Sequence, residues 1–259
     1  MLIAVFLVSA LAFTVLMTLF AGPWVLFPLW FVLSYPVGFL MAFLTLASTL
    51  PVMKRISHDH PFKYRMTKRA AHFLNAVVMR LKITYHGLEN IPESGRLTVY
   101  ANHKSYADPF IILAFMPRPV TFTPKMGVYT LFFVGKWLKY LRAFPIDRTS
   151  DRNTARAMVD AIKVVKDGMA MAIFPEGGIK DRDEELMVAM RAGAYKVATK
   201  AEADLLPVRI KGTTSIKKRA PFRTTKIDVT VLPVVRFDDV RDKSTAEIAE
   251  MMFEKINSV

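Results

Sequence analysis

The first fifty positions of the chain are almost entirely apolar, and no polar stripe interrupts them. Leu2 to Ala21 forms one apolar segment and Trp24 to Leu50 a second, longer one, with Gly22-Pro23 between them. A helix that crosses a bilayer needs about 20 apolar residues, and both segments reach that length. The pattern predicts a membrane-embedded helical hairpin over residues 1–53, whose second helix is kinked or re-entrant at its prolines. A buried hairpin of a soluble protein is the alternative, although such helices normally carry a polar stripe.

After residue 53, short apolar runs alternate with amphipathic segments. The apolar runs have strand length, and the amphipathic segments carry apolar residues at helical spacing. A helix followed directly by a strand favours parallel βαβ units, so residues 54–259 are predicted to form one α/β domain. The predicted strands begin at Leu81, Leu97, Met169, Leu205 and Ile227, and the predicted helices cover 64–81, 151–167, 184–203 and 246–256.

A histidine and an acid stand directly after the strand predicted to end at Ala101. His103 and Asp108 are five positions apart, and Asp108 precedes Pro109 and an apolar run. An Asp-Pro pair before such a run predicts a helix start, with Asp108 as the N-cap and Pro109 at the first helical position. On one helix the two side chains would point roughly 140° apart, so they meet only if His103 lies in the preceding turn.

The chemistry of the pair follows from the two nitrogens of imidazole. A carboxylate that accepts from one nitrogen fixes the tautomer and leaves the other nitrogen as a base. The ends of strands in open α/β sheets are also where ligand sites collect. Taken alone, however, the same spacing is typical of a capping Asp beside an ordinary loop histidine.

Three further segments place the pair in a longer pattern. Asn102-His-x4-Asp108 is followed by Lys125, then by Phe144-Pro-Ile-Asp-Arg148, by Phe174-Pro-Glu-Gly177 and by Leu206-Pro-Val208. In order and spacing these segments resemble the motifs of the glycerolipid acyltransferase family, the 1-acyl-sn-glycerol-3-phosphate acyltransferases often called PlsC-like. The resemblance implies an α/β fold with a mixed, largely parallel sheet flanked by helices, preceded here by the apolar hairpin.

The resemblance covers roughly residues 80 to 212 and implies a role for each matching residue. His103 would be the general base towards the acceptor hydroxyl, oriented and charge-balanced by Asp108. Glu176 and the backbone that follows it would position the acceptor glycerol, and nearby cations would hold its phosphate. The substrate-binding residues implied in this way are Asn102, Lys125, Arg148, Glu176, Gly177, Gly178, Lys180 and Arg182.

One departure from the family pattern bears on the acceptor. The family usually has Thr-Arg after Glu-Gly, and its arginine is assigned to the acceptor phosphate, whereas this chain has Gly178-Ile179. Lys180 or Arg182 could supply that charge from one or three residues later. The alternative is an acceptor whose headgroup is not a bare phosphate monoester.

The implied reaction moves a fatty acyl group from acyl-CoA or acyl carrier protein to the sn-2 hydroxyl of 1-acyl-glycerol-3-phosphate, giving phosphatidate. The chain has no cysteine and no Gly-x-Ser-x-Gly elbow, so no acyl-enzyme is indicated. The chain has no Gly-x-Gly-x-x-Gly fingerprint and no Walker loop, so no nucleotide redox cofactor and no use of ATP is indicated. No metal requirement is visible, and the acyl donor would act as a co-substrate. Two alternatives stay open: acylation of another lysolipid, or a non-catalytic lipid-binding membrane protein on the same fold.

The charge distribution adds a location. All of the net charge of +14 lies after residue 53, beginning with Lys54 and Arg55 directly behind the apolar region. Basic flanks stay on the cytoplasmic side, which predicts a cytoplasmic domain at the inner membrane, whether the hairpin spans or only wedges into it. The absence of cysteine agrees with a reducing compartment.

A basic segment late in the chain could bind anionic partners. Lys211 to Lys226 holds six Lys or Arg and no acid. It is either a solvated loop or a contact for anionic headgroups, for coenzyme A or for an acidic acyl carrier protein. No nucleic-acid-binding motif is present, so the expected partners are the bilayer, a lysophospholipid and the acyl donor.

Overall fold

The computed structural model describes residues 1–145, 151–179 and 181–259. Within them the chain divides into two compact units, Met1–Ser57 and His58–Val259. Each unit is built around its own packing contacts, as the change in hydrophobic pattern near residue 53 leads one to expect.

The first unit is a helical hairpin with an outward-facing apolar surface. Helices α1 (Leu2–Phe20) and α2 (Phe27–Ser48) are followed by the short α3 (Leu50–Arg55). By length and composition, the helical stretches Leu2–Phe20 and Trp24–Arg55 could each cross a membrane. Large apolar side chains along α1 are exposed, with Leu11 at 66% and Leu19 at 69%.

The two long helices of the hairpin approach closely at a glycine. A Cβ atom at Gly38 would lie 2.7 Å from the Phe6 ring, which packs on Phe39 with the ring centroids 4.8 Å apart. Of the two predicted effects of the prolines, a kink or a re-entrant turn, the second would interrupt the helix, whereas α2 continues through Pro36. The other proline, Pro28, lies in the first turn of α2, where its missing N–H costs the helix no hydrogen bond.

The second unit is an α/β domain. Within the described residues, six strands form one sheet in the order β1-β6-β5-β2-β4-β3, parallel throughout except for the antiparallel pair β5–β6. This confirms the predicted mixed, largely parallel sheet. The short strand β3 was not predicted, because its three residues are too few to show a periodicity. The strands are β1 (Leu81–His86), β2 (Leu97–Ala101), β3 (Val120–Phe122), β4 (Ala170–Ile173), β5 (Asp204–Lys211) and β6 (Thr225–Val231).

Helices cover both faces of this sheet and bury its central strands. On one face Ile111 and Ile112 pack with Val99, and on the other Val164 and Met252 pack with Tyr100. All residues of β2 are buried, so packing on both faces fixes the position of its carboxyl end. The helices of this unit are α4 (Pro61–Phe73), α5 (Asp108–Phe115), α6 (Met126–Tyr129), α7 (Phe132–Tyr140), α8 (Asp151–Lys166), α9 (Lys196–Ala201), α10 (Ile216–Arg219) and α11 (Thr245–Asn257).

One predicted helix is wrong. The segment 184–203 is a loop up to Arg191, and only its last part is helical, as a 3₁₀ turn and α9. The backbone of Met187 bonds to the side chain of Asn257, with N–H to Oδ1 at 2.9 Å and C=O to Nδ2 at 3.1 Å. Because these backbone groups bond to Asn257, they cannot also form the hydrogen bonds of a helix in this segment. Tertiary contacts therefore override the helical spacing of the apolar residues.

Candidate active site

The loop between β2 and α5 is folded around the buried carboxylate of Asp108. Oδ2 of Asp108 accepts from His103 Nδ1 at 2.9 Å, from the Lys104 N–H at 2.7 Å and from the Ser105 N–H at 2.8 Å. The Asp108 side chain is fully buried. The loop therefore turns back on Asp108, and His103 lies in the turn before the helix, as the spacing requires.

The predicted cap at Asp108 is wrong by one position. Ala107 is the N-cap residue of α5, and Asp108 is its first helical residue. The carboxylate does not cap its own helix, because it is directed backwards onto the N–H groups of the preceding loop. A charged acceptor of two backbone N–H groups and an imidazole makes a stronger set of bonds than an ordinary cap.

The His103 ring is held by two contacts. Its Nδ1 faces Asp108, and its plane stacks on Phe174 with the ring centroids 4.2 Å apart. An ionised carboxylate can only accept, so in a neutral imidazole this contact assigns the proton to Nδ1 and the lone pair to Nε2. The side chain is 15% exposed, which leaves the imidazole reachable from solvent. The arrangement can take a proton from a bound hydroxyl.

A second buried carboxylate holds the same loop from the other side. Glu176 Oε1 accepts the backbone N–H of His103 at 2.7 Å, and Oε2 accepts from Lys104 Nζ at 3.1 Å. Both side chains of this ion pair are fully buried. Sequence reasoning assigned Glu176 to the acceptor and missed Lys104, whose only signal was its place directly after His103. In the structure both oxygens of Glu176 bond within the chain.

The two glycines after Glu176 shape the turn that delivers it. Gly177 has φ +71°, and a Cβ there would lie 2.6 Å from Nε of Arg191. Gly178 has φ +140°, also in the region that favours glycine. The pair therefore serves the tight turn after β4.

Asn102 is buried and joins two strands. Its Nδ2 donates to the Ile210 carbonyl at 2.7 Å, and its Oδ1 accepts the Ile210 N–H at 2.8 Å. It was expected among the substrate-binding residues. In the structure its amide fastens the end of β2 to β5, and a role at the acceptor stays a prediction.

Of the cations predicted to bind phosphate, the structure places Arg182 beside the His103 loop. The guanidinium of Arg182 lies over the ring of Tyr106, in the same loop as His103, with its carbon 4.9 Å from the ring centroid. Lys125 is exposed at the N-cap of α6. Arg148 and Lys180 lie outside the described residues.

Fold and site together are typical of an enzyme that activates a hydroxyl group. A histidine oriented by a carboxylate at a strand end can act as a base towards a hydroxyl. The chain has no cysteine that could form a thioester on the enzyme.

Comparison with known proteins narrows the class to a family. The family model described as "Acyltransferase" matches residues 82–211, half of the chain. The chain therefore belongs to the acyltransferase family, and the resemblance seen in the motifs is confirmed.

Individual relatives carry a more specific name. A 1-acyl-sn-glycerol-3-phosphate acyltransferase of Borreliella burgdorferi is 32% identical over 51% of this chain and 52% of its own length. A probable enzyme of the same name from Mycoplasma genitalium is 30% identical over 70% of this chain and 69% of its own. The matched part of the chain thus spans about half the length of the first of these relatives.

A solved structure supports the fold. The 1-acyl-sn-glycerophosphate acyltransferase PlsC of Thermotoga maritima superposes with a TM-score of 0.54 at 24% identity, over 76% of this chain and 80% of that one. At this identity the likeness speaks for the fold alone.

The buried ion pair beneath the His103 loop generates a stability prediction. Lys104→Met leaves the buried Glu176 carboxylate without its counter-charge, and we expect a loss of about 3–5 kcal/mol in the free energy of unfolding. Urea unfolding in a neutral detergent measures it.

Two controls accompany this variant. Lys218→Met breaks an exposed pair and should change the same free energy by only about 0–1 kcal/mol. The double variant Lys104→Met/Glu176→Gln removes both charges and should recover most of the loss. A Lys104→Met protein as stable as the wild type would show that the pair does not hold the loop.

Proposed function

We propose that this chain transfers a fatty acyl group from acyl-CoA or acyl carrier protein to the sn-2 hydroxyl of 1-acyl-glycerol-3-phosphate, giving phosphatidate. The observation that carries the proposal is the His103–Asp108 pair at 2.9 Å, fixed in a loop that two buried carboxylates hold. The names of the relatives from Borreliella and Mycoplasma support the same acceptor.

The chemistry follows from the two imidazole nitrogens. His103 Nε2 takes the proton of the acceptor hydroxyl as its oxygen attacks the thioester carbonyl carbon. The tetrahedral intermediate then expels the thiolate, which recovers the proton from His103, so that an ester and a free thiol are formed. Asp108 accepts from Nδ1–H and so stabilises the transient imidazolium.

The proposal places the apolar hairpin in the cytoplasmic membrane, with the second unit on the cytoplasmic side. Its support is the length and outward-facing apolar surface of α1 and α2, and the basic flank that starts at Lys54. The acceptor is itself a membrane lipid, so an anchored enzyme meets it at the bilayer surface.

A second acceptor class is favoured by one observation. Gly178-Ile179 stands where the family pattern has Thr-Arg, so a lysophospholipid with a larger headgroup is the competing substrate. The catalytic pair would act on that hydroxyl in the same way.

The catalytic assignment predicts the behaviour of a single variant. His103→Ala should lower kcat for lysophosphatidate acylation by about 10²–10⁴-fold, because the hydroxyl loses its base. Purified protein is assayed with labelled acyl-CoA and acyl carrier protein against lysophosphatidate, lysophosphatidylcholine, lysophosphatidylglycerol and lysophosphatidylethanolamine.

The matched control is His86→Ala, which removes an exposed histidine from β1 and should leave kcat unchanged. Faster transfer to one of the other lysolipids than to lysophosphatidate would replace the acceptor in the proposal. Failure to find His103-dependent transfer to any acceptor would leave the non-catalytic lipid-binding alternative.

Membrane topology is tested with single cysteines, since the natural chain has none. Ala21→Cys lies at the turn of the hairpin and Lys54→Cys at its basic flank. A spanning hairpin should be labelled at Ala21→Cys by an impermeant maleimide from outside spheroplasts, and at Lys54→Cys only after lysis. Labelling of both sites only after lysis indicates a monotopic wedge, and release of the protein by alkaline carbonate would contradict membrane embedding.

A further inference from the structure

A positively charged cavity of about 180 Å³ opens beside the His103 loop. Lys104 and Ser105 of that loop form one wall, and Arg182, Thr213, Lys217 and Lys218 are among the other lining residues. Its basic residues come partly from α10, which lies inside the basic segment Lys211 to Lys226. None of the residues from α10 belongs to the motifs that identify the family.

We propose that this cavity binds the phosphate group of the acceptor lipid, with Lys217, Lys218 and the Thr213 hydroxyl as ligands beside Arg182. The inference rests on the proposed function, since it concerns the same acceptor. It assigns phosphate recognition to the segment 213–218 in place of the missing Thr-Arg.

The position of the cavity favours the acceptor over the donor. In lysophosphatidate the reacting hydroxyl and the phosphate are on adjacent carbons, so the phosphate site must lie next to the catalytic base. Lys104 and Ser105, which directly follow His103, line the cavity. The phosphates of coenzyme A lie at the far end of the pantetheine arm from the thioester and need no site so close to His103.

The charges in the cavity are available to a ligand. Lys104 is already neutralised by Glu176, but Lys217 and Lys218 are exposed. Asp183, the one carboxylate among the described lining residues, pairs with Lys218 at 3.5 Å, with both side chains more than three-quarters exposed. Such exposed pairs contribute little, so a phosphate dianion can displace Asp183.

Thr213 is the most specific feature of the cavity. It is 2% exposed, and its hydroxyl has no hydrogen-bond partner among the residues that the structure describes. Its neighbours are held by one carboxylate, because Glu185 accepts from the Gly212 N–H at 2.9 Å and from the Thr214 hydroxyl. A buried hydroxyl without a partner is unfavourable, and a phosphate oxygen would supply the missing acceptor.

Arg182 is brought to the same place from the segment after Ile179. Its guanidinium lies over the Tyr106 ring, which fixes its direction without using its N–H donors. It can therefore still donate to a phosphate in the forked geometry that suits this group.

The direct test is the double variant Lys217→Gln/Lys218→Gln, which changes two exposed side chains and should leave the fold intact. We expect the KM for lysophosphatidate to rise about tenfold or more, with kcat within about twofold and the KM for acyl-CoA unchanged. The matched control is Lys200→Gln/Lys255→Gln, which removes the same charge from exposed positions that do not line the cavity.

Thr213→Val gives an independent readout, because it removes the hydroxyl at nearly constant volume. It should raise the thermal stability of the free protein and also raise the KM for lysophosphatidate several-fold, with Thr213→Ser recovering that KM. A merely structural threonine would change stability without changing KM.

The outcomes separate this inference from the proposed function. If the wild type acylates lysophosphatidate through His103 but the double variant keeps its KM, the cavity is not the phosphate site and the function stands. A rise in the KM for acyl-CoA alone would assign the cavity to the donor and overturn the inference. If no transfer occurs, the dissociation constant of lysophosphatidate for His103→Ala protein, with and without the two lysine changes, decides the binding site by itself.

Discussion

The His103 loop depends on two buried carboxylates that hold its backbone. Asp108 accepts two of its N–H groups and the imidazole, while Glu176 accepts the His103 N–H and the Lys104 ammonium. Five bonds to charged acceptors thus converge on three consecutive residues. Without these bonds the loop would not hold the His103 ring in one orientation, because a short polar loop samples many conformations in water.

Strand order explains why these groups meet. Strands β2 and β4 are parallel neighbours with Tyr100 opposite Ile173, so the residues that follow each strand emerge side by side. His103 and Glu176 are such residues. On the other side of β2, Asn102 fastens the strand to β5 at Ile210, and the chain then continues into the loop that carries Thr213. Base, positioning carboxylate and proposed phosphate site therefore all lie at the carboxyl ends of three adjacent strands.

Local patterns predicted much of this arrangement. The apolar run before Asn102, the spacing of His103 and Asp108 and the alternation of helix and strand were each visible in the sequence. The Lys104–Glu176 pair was not, because its members are far apart in the chain and pair only once β2 and β4 are neighbours. The helix predicted over 184–191 is absent for the same reason, since the backbone of Met187 bonds to Asn257, at the end of α11 and 70 positions later. Prediction thus reached His103, Asp108 and the contact between them, but not Lys104 or the contacts between distant parts of the chain that hold the loop.

The proposed chemistry requires that Asp108 holds the neutral His103 ring with its proton on Nδ1 and its lone pair on Nε2. Nitrogen-15 NMR of histidine-labelled protein measures this directly, with the His103 signals identified by their loss in His103→Ala. We expect the neutral ring to be the Nδ1–H tautomer, with Nε2 at the chemical shift of an unprotonated nitrogen. A neutral ring protonated at Nε2 would contradict it, because that nitrogen could not then take a proton from the acceptor hydroxyl.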